Sequence, residues 1–463
     1  MWDHIIRNGT LVTPSESFRG DIYVKDGKIR AITDGPIAGG ATEVTDAAGK
    51  YVLPGFVETH VHSRDGRFGN PEKEDFFHST MAGAIGGATT VLEMPNSNPA
   101  IYNVENFHDM VNWLGPKSHT DFGVWGLCVG DLNRDQIVPL AEAGAIAFKF
   151  FWGYGLNSKN YALVYNYSST MKDVIPPPRD GEIYKIFQEI AKTGKVIAIH
   201  AENFDLIERL TSEVMESGDK SYAAFLRARP NAASETTIQT AIAFSKWTGA
   251  RLHILHLDCK EGVGLINGAQ REGYHVTGET CPHYLYLTDK DFDRVGSAMK
   301  GYPPVRRKAD QEELWRGLNE GILDLVCSDH APHTEKEKDG DLWSTPAGTA
   351  SIELVGPLMI NAVNEGKLSL NKLCALYSEN PSKLYGLYPE KGSLRIGTDA
   401  DITIIDMDLE FTVSKSMLHS VSKVMPYQGF KLKGKPVQTI LRGKTIAKDN
   451  EIVGAPSGRF IKK

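Results

Sequence analysis

The two ends of the chain share a pattern of short alternations between hydrophobic and polar residues. The segment DIYVKDGKIRAI, residues 21–32, has two such runs on either side of Asp26 and Gly27, which predicts a β-hairpin. Near the other end, GTDADITIIDMD and PVQTILRGKTIAKDNEIV repeat β-branched runs that are interrupted by glycine, aspartate and asparagine. We therefore predict one small β-sandwich domain that is built from residues 1–51 and 390–463.

The middle of the chain, residues 52–389, alternates strand-like hydrophobic runs with helical segments. In GEIYKIFQEIAKTG, residues 181–194, four large apolar side chains have helical spacing and Gly194 stands at the C-terminal cap position. The predicted strands are 52–62, 88–95, 121–128, 145–151, 195–203, 251–257, 275–283 and 323–333. This alternation predicts an α/β fold, a (β/α)8 barrel of the TIM type. An open doubly wound sheet shows the same alternation, but the sequence lacks a glycine-rich phosphate loop after the first strand.

Metal-binding residue types collect at the ends of these strands, where the active site of such a barrel lies. A lone histidine at a strand end is more often structural than a ligand, and His253, three residues from His256, faces the other side of its strand. Several such residues at neighbouring strand ends indicate a metal site, because imidazole and carboxylate are the ligands that suit zinc and its first-row neighbours. The strand-end residues are His60, His62, Lys149, His200, His256 and Asp329.

Lys149 lies inside the apolar segment GAIAFKFFWGYG, residues 144–155, where an ammonium group is costly to bury without a partner. An apolar site favours the neutral amine, and a neutral amine adds CO2 to give a carbamate with two oxygens. Such a group can bridge two metal ions. The hypothesis is a two-metal site in which the carbamate joins one metal held by His60, His62 and Asp329 to another held by His200 and His256.

Composition narrows the class of protein. The chain has 463 residues, of which 41% are hydrophobic and 24% charged, as in soluble globular proteins. A net charge of −7 argues against binding to nucleic acid or to a membrane surface. No apolar run approaches the ~18 residues that span a bilayer, and the start MWDHIIRNGTLV has no signal-peptide pattern. Five scattered cysteines without a C-x-x-C pair indicate reduced thiols in a cytoplasmic protein.

Eight motifs, which run nearly from end to end, resemble those of the cyclic amidohydrolases of the amidohydrolase superfamily. The motifs are PGFVETHVH, GGATTVLEMPNSNP, AFKFFWGY, IHAEN, ETCPHYLYLTD, YPPVRRKADQEELW, SDHAPH and GTDADITIID. The group includes hydantoinase, dihydropyrimidinase, allantoinase and dihydroorotase, and this sequence is most similar to L-hydantoinase-like enzymes. One departure is Glu58, where the group usually has aspartate before H-x-H; since it is not a direct ligand, we expect no consequence.

The resemblance implies the activity and the roles of individual residues. The six strand-end residues match the ligands of a binuclear centre, with two zinc ions (manganese or cobalt as alternatives) and a CO2-derived carbamate on Lys149. Asp329 would take the proton of the metal-activated water and pass it to the leaving ring nitrogen. Tyr154 matches the tyrosine that stabilises the developing oxyanion. The expected substrate is a small cyclic ureide, opened at its ring CO–NH bond, and the expected assembly is a homo-oligomer, a tetramer or a dimer.

The sequence does not decide the substrate, because different residues match different members of the group. Arg64, Asn96 and His333 match the residues that hold the substrate carboxylate in dihydroorotase, and an arginine fork with two further donors suits a carboxylate. Tyr302 stands where dihydroorotase has asparagine, and Ala347 stands where dihydropyrimidinase has asparagine. The usual first loop of allantoinase lacks Arg64 and Asn96. Hydantoinase or dihydropyrimidinase activity is the first interpretation, with dihydroorotase or allantoinase as the alternative.

Two further alternatives concern a loop and the whole chain. Residues 156–181 form a long connection next to Lys149, rich in tyrosine and proline, which is either a substrate lid or a surface or subunit-contact loop.

Some dihydropyrimidinase-like proteins have lost metal ligands and act as non-catalytic scaffolds. All six ligand positions are filled here, which favours the enzyme.

Overall fold

The strands come from all parts of the chain. The computed structural model describes residues 1–165 and 167–463. In chain order the strands are β1 (Trp2–Val12), β2 (Ser17–Lys25), β3 (Lys28–Thr33), β4 (Ala41–Asp46), β5 (Tyr51–Pro54), β6 (Phe56–Val61), β7 (Ala88–Glu93), β8 (Asp121–Val124), β9 (Gly126–Cys128), β10 (Phe148–Trp152), β11 (Gly155–Asn157), β12 (Leu163–Val164), β13 (Val174–Ile175), β14 (Val196–Ala201), β15 (Arg251–Ile254), β16 (Val276–Thr280), β17 (Leu325–Val326), β18 (Ile402–Thr412), β19 (Lys431–Leu441), β20 (Lys444–Lys448) and β21 (Glu451–Ile452).

The helices lie mostly in the middle of the chain, as the sequence predicts. They are α1 (Phe76–Ile85), α2 (Val104–Leu114), α3 (Ile137–Ala143), α4 (Asp180–Thr193), α5 (Phe204–Ser217), α6 (Tyr222–Ala228), α7 (Asn231–Thr248), α8 (Lys260–Arg271), α9 (Pro282–Tyr286), α10 (Phe292–Val295), α11 (Lys308–Glu320), α12 (Glu335–Lys338), α13 (Ile352–Asn364), α14 (Leu370–Cys374) and α15 (Asn380–Leu384). Helix α4 has the predicted buried face and ends at Gly194 in the left-handed conformation. Among the described residues, none of the helices has both the length and the hydrophobicity that crossing a bilayer requires.

Both ends of the chain contribute to one mixed sheet. Its strands run in the order β21-β20-β19-β18-β5-β1-β2-β3, and β4 pairs with β1. The predicted hairpin is present between β2 and β3, where Asp26 and Gly27 have φ angles of 53° and 72°. Positive φ at both turn residues matches the right-handed twist of the strands. The division into a domain of residues 1–51 and 390–463 and another of residues 52–389 stays a prediction.

The middle of the chain forms two parallel sheets, β6-β7-β8 and β9-β10-β14-β15-β16-β17. The predicted α/β class with parallel strands is therefore confirmed. At one junction, Trp125 separates β8 from β9 and donates its backbone N–H to Glu93 O over 3.0 Å. At the other, Val61 and His330 form an isolated parallel bridge. Apolar side chains of these strands and of the surrounding helices form the largest hydrophobic cluster of the described residues.

The first predicted strand, 52–62, is in fact two strands in two different sheets. It divides at Gly55, whose backbone N–H donates to Asp401 O over 2.8 Å. A Cβ at Gly55 would lie 2.1 Å from Oγ1 of Thr89, so only glycine fits this close approach. Strands β15 and β17 also end earlier than predicted, at Ile254 and Val326, before the positive φ angles of His256 (34°) and Asp329 (44°). The chain therefore leaves the sheet where the candidate ligands begin.

Candidate metal centre

The first group of predicted ligands meets at the ends of β6 and β17. Nε2 of His60 lies 3.3 Å from Oδ1 of Asp329, and Nε2 of His62 lies 3.5 Å from the same oxygen. One ligand atom from each of the three residues falls within 4.8 Å of the others, a spacing at which a single metal ion can be shared. The H-x-H spacing therefore brings both imidazoles to one side of the strand, as predicted.

Outer hydrogen bonds orient both of these imidazoles. Nδ1 of His60 donates to Oε1 of Glu279 over 2.7 Å, and Nδ1 of His62 donates to Oδ1 of Asn96 over 2.6 Å. A carboxylate and an amide oxygen can only accept, so the proton of each ring sits on Nδ1. The lone pair of each Nε2 then faces Asp329, which is the tautomer that a metal ion requires.

The second group lies at the ends of β14 and β15. Nδ1 of His200 is 3.1 Å from Nε2 of His256, and Nε2 of His200 is 3.0 Å from both Oη of Tyr154 and Oε2 of Glu202. Glu202 is buried and accepts a hydrogen bond from Arg229 over 2.5 Å. Tyr154 and Glu202 therefore hold His200 at its Nε2 atom, and this leaves Nδ1 facing His256.

Lys149 on β10 is fully buried, and its Nζ has no hydrogen-bond partner among the residues that the structure describes. It lies 4.5 Å from the centre of the Phe151 ring. Burial lowers the pKa of Lys149 to about 8, although the negative charge of Asp329 acts in the opposite direction. A buried amine without a partner, facing histidines and a carboxylate, fits the attachment point of a carbamate.

The electrostatics of the centre favour the forms that bind metals. Burial lowers the pKa of His62 to about 3 and that of His256 well below its ordinary value. Burial opposes ionisation of Asp329, but the neighbouring His60 and His62 outweigh it and hold the pKa of Asp329 well below its usual range. At neutral pH the imidazoles of His62 and His256 are therefore neutral and the carboxyl of Asp329 is ionised, as metal ligands must be.

A cavity of about 340 Å³ opens over the centre. Its lining includes predicted site residues, namely His62, Arg64, Asn96, Lys149, Tyr154, His200, His256, Asp329 and His333. The structure thus brings the proposed ligands and the proposed substrate residues to one cavity, with His60 directly behind. Their roles stay predictions.

The three residues proposed to hold a carboxylate all make contacts within the protein. Nε of Arg64 donates to Pro332 O over 3.4 Å. Nε2 of His333 donates to Ala347 O over 3.0 Å. Asn96, as described above, holds His62. Of the three, Arg64 therefore keeps the most donor capacity for a ligand, since its two terminal NH2 groups are not used by this bond.

The loop of residues 156–181 contacts the cavity through Tyr165. This ring packs edge-on against Tyr154, with 5.2 Å between ring centres, and its hydroxyl accepts a hydrogen bond from Asn96 over 3.3 Å. The loop carries the short strands β11, β12 and β13, and residue 166 lies outside the described residues. A lid function for this loop stays a prediction.

Sequence reasoning did not assign the acidic residues that hold the histidines. Glu279 and Glu202 stand in the motifs ETCPHYLYLTD and IHAEN. An acidic residue at a strand end beside histidines could have indicated that it accepts a hydrogen bond from a ligand imidazole. His253 was predicted to face away from the ligands, but its Nε2 lies 3.2 Å from Oε2 of Glu279, the carboxylate that also contacts His60. Glu58 is fully buried and accepts from the backbone N–H groups of His60 and Ser328. It ties β6 to the segment that carries Asp329.

The sequence profile of the Amidohydrolase family matches residues 51–446, which include all the proposed ligands. The chain belongs to the amidohydrolase family. The match continues past residue 389 into the C-terminal part of the chain, and it confirms the family that the sequence motifs indicated.

Members of this family with known activities match over the full length of the chain. An L-hydantoinase of Paenarthrobacter aurescens is 35% identical over 470 residues, which cover 100% of this chain and 98% of the relative. An allantoinase of Deinococcus radiodurans is also 35% identical, over 99% of this chain and 98% of the relative. The solved structure of L-hydantoinase (dihydropyrimidinase) from Arthrobacter aurescens has a TM-score of 0.92 at 34% identity and covers 100% of both chains.

Proposed function

We propose that this chain is a metal-dependent cyclic amidohydrolase that opens the ring CO–NH bond of a cyclic ureide, with hydantoinase-type rings as its first substrates. The observation that carries the proposal is the buried Nζ of Lys149, which has no hydrogen-bond partner among the described residues. It shares one cavity with His62, His200, His256 and Asp329. The names of the relatives, hydantoinases and allantoinases, support the same bond as the target.

The donor set fits two metal ions. His60, His62 and Asp329 would hold one ion, His200 and His256 the other, and a carbamate on Lys149 would join them. We propose zinc, with manganese or cobalt as alternatives, because neutral imidazoles and carboxylates suit these ions. When bound, the metals supply a Lewis acid for the ring carbonyl and a water of lowered pKa.

The chain itself supplies the proton transfer and part of the charge stabilisation. Asp329 is ionised and sits against both His60 and His62, so its carboxylate accepts the proton of the attacking water and returns it to the leaving ring nitrogen. Burial raises the pKa of Tyr154 well above its ordinary value, so its hydroxyl stays protonated and donates to the oxyanion that develops on the ring oxygen.

The alternative substrates differ in the group carried by the ring. Arg64 lines the cavity, and no hydrogen bond to a described residue uses its terminal NH2 groups. With Asn96 and His333 it matches the carboxylate-binding set of dihydroorotase. An allantoinase is as similar to this chain as an L-hydantoinase is, which keeps allantoin as a further alternative. A non-catalytic scaffold is the remote alternative, and the filled ligand positions argue against it.

The test is ring opening measured side by side on a hydantoin, dihydrouracil, allantoin and dihydroorotate, with zinc and bicarbonate added. We expect hydantoin or dihydrouracil to give the highest kcat/KM. Preferential turnover of dihydroorotate that Arg64→Ala abolishes would replace our first substrate with the alternative. A metal-free protein with unmodified Lys149 and no turnover of any of the four rings would support the scaffold.

The same proposal extends to the architecture and setting of the enzyme. The Val61–His330 bridge and the Trp125 junction support a closed (β/α)8 barrel, with a β-sandwich formed by the two ends of the chain. We also propose a homo-oligomer, a tetramer or a dimer, in the cytoplasm, with a small molecule as substrate and neither nucleic acid nor membrane as partner.

A further inference from the structure

One wall of the cavity is a stretch of chain without regular secondary structure. Residues 343–348 follow one another along the cavity lining, and they lie outside every helix and strand of the described chain. The conformation of such a segment is not set by a helix or a sheet ladder, so its position depends on other contacts.

Three consecutive backbone carbonyls of this wall are each held by a different side chain. Nζ of Lys300 donates to Thr345 O, and Nζ of Lys338 donates to Pro346 O over 2.8 Å. The next carbonyl, that of Ala347, accepts from Nε2 of His333 over 3.0 Å. The three donors come from different parts of the chain: the segment before Pro303, helix α12 and the turn after β17.

Both lysines are buried, with exposed fractions of 3% for Lys300 and 5% for Lys338. Both lysines make further backbone contacts: Lys338 Nζ donates to Ser297 O over 3.0 Å, and Lys300 O accepts from the N–H of Gly348 over 2.9 Å. Lys300 Nζ also lies 5.8 Å from the centre of the Phe225 ring. Burying an ammonium group costs free energy that hydrogen bonds to carbonyls offset in part. Within the described chain neither lysine lines the cavity, so a direct contact with the substrate is not their role.

We infer that Lys300 and Lys338 are positioning residues that hold the wall of residues 343–348 against the substrate ring, and so set KM and the ranking of substrates. The inference rests on the proposed function and adds to it a determinant of specificity outside the cavity. A small displacement of a binding wall weakens ground-state and transition-state contacts together, while the chemistry at the metal centre stays unchanged.

The first test compares Lys338→Met with Lys336→Met, because Lys336 is exposed on the same helix α12. For the best ring substrate we expect Lys338→Met to raise KM about tenfold, equivalent to one lost hydrogen bond. We expect kcat within about threefold of wild type, two bound metals, and a partial return of KM in Lys338→Arg. Lys336→Met should match wild type. Lys300→Met is the second variant, should Lys338→Met not fold.

The second test is hydrogen exchange of the metal-loaded protein without substrate, followed at the amides of Thr345 and Gly348, which donate to Asp341 O and Lys300 O. We expect faster exchange in Lys338→Met and Lys300→Met, and unchanged exchange in Lys336→Met. Unchanged exchange in the lysine variants would overturn the inference, as would faster exchange with unchanged KM. If wild type opens none of the four rings, the proposed function fails, while the exchange result still decides whether the lysines hold the wall.

Discussion

Nδ1 of His60 lies 2.7 Å from Oε1 of Glu279, and both side chains are fully buried. Glu279 also accepts from His253 over 3.2 Å, and from the backbone N–H of His256 over 3.3 Å. One carboxylate therefore orients the imidazole of His60 and the backbone that carries His256. These two residues belong to different halves of the proposed two-metal centre, so Glu279 couples their positions.

The variant Glu279→Gln tests this relationship. The amide oxygen still accepts a hydrogen bond, but the loss of negative charge lowers the basicity of Nε2 of His60. We expect metal affinity to fall by about 10–100-fold, measured by competition with a chelator. Glu216→Gln, an exposed position on α5, is the matched control. Equal affinity in both variants would show that Glu279 does not tune the centre.

Lys149→Ala removes the proposed bridging group. We expect fewer than two bound metals per chain and a fall in ring opening of at least about 10²-fold, because the remaining ligands no longer join the two ions. A short carboxylic acid added to the buffer should restore part of the activity by occupying the space of the carbamate. Full activity together with two bound metals in this variant would refute the carbamate bridge.

Tyr154→Phe removes the hydroxyl that lies 3.0 Å from Nε2 of His200. If this hydroxyl donates to the oxyanion, kcat falls by about 10²-fold, and KM and metal content change little. Tyr184→Phe on α4, which packs against Phe244 away from the cavity, is the control. An unchanged kcat in Tyr154→Phe would remove the tyrosine from the mechanism.

Glu93 gives a prediction about stability and pH. Burial raises the pKa of Glu93 to about 8, against 4.5 when exposed, although hydrogen bonds from Ser63 act in the opposite direction. Between these two pH values the folded protein keeps the proton that the unfolded chain has lost, so the contribution to stability falls as pH rises. The free energy of unfolding of wild type should fall by about 1 kcal/mol per pH unit relative to Glu93→Gln.

Urea unfolding of the two proteins at pH 5.5, 6.5 and 7.5 measures this difference directly. Glutamine keeps an acceptor for Ser63 and does not titrate, so every other ionisable group cancels in the comparison. Parallel stability curves for wild type and Glu93→Gln would mean that Glu93 is already ionised in the folded protein.

The positions of the candidate ligands were predictable from sequence, because residues at the carboxyl ends of neighbouring parallel strands lie at the same edge of a sheet. His60 and His62 are two residues apart on one strand, and Lys149 interrupts an apolar run. Local sequence does not reveal the positive φ angles of His256 and Asp329, and it does not show that β15 and β17 end before these residues. Nor does it carry the break at Gly55, which depends on the approach of Thr89.

The contacts between distant parts of the chain were beyond the reach of the sequence. The bond between Glu279 and His60 spans 219 residues, and the bond between Lys300 and Thr345 spans 45 residues. No hydrophobic period or short motif marks either pair. Asn96 illustrates the same limit, since its side chain meets His62, whereas the sequence suggested only a substrate carboxylate.

The central claim is that two metal ions on these residues open a cyclic ureide. The most direct measurement adds zinc stepwise to the metal-free protein, in bicarbonate, and follows the initial rate of hydantoin ring opening. The account predicts no turnover before addition and a rate that reaches its plateau at two equivalents per chain. Turnover that is independent of added metal, or that reaches its plateau at one equivalent, would contradict the two-metal account.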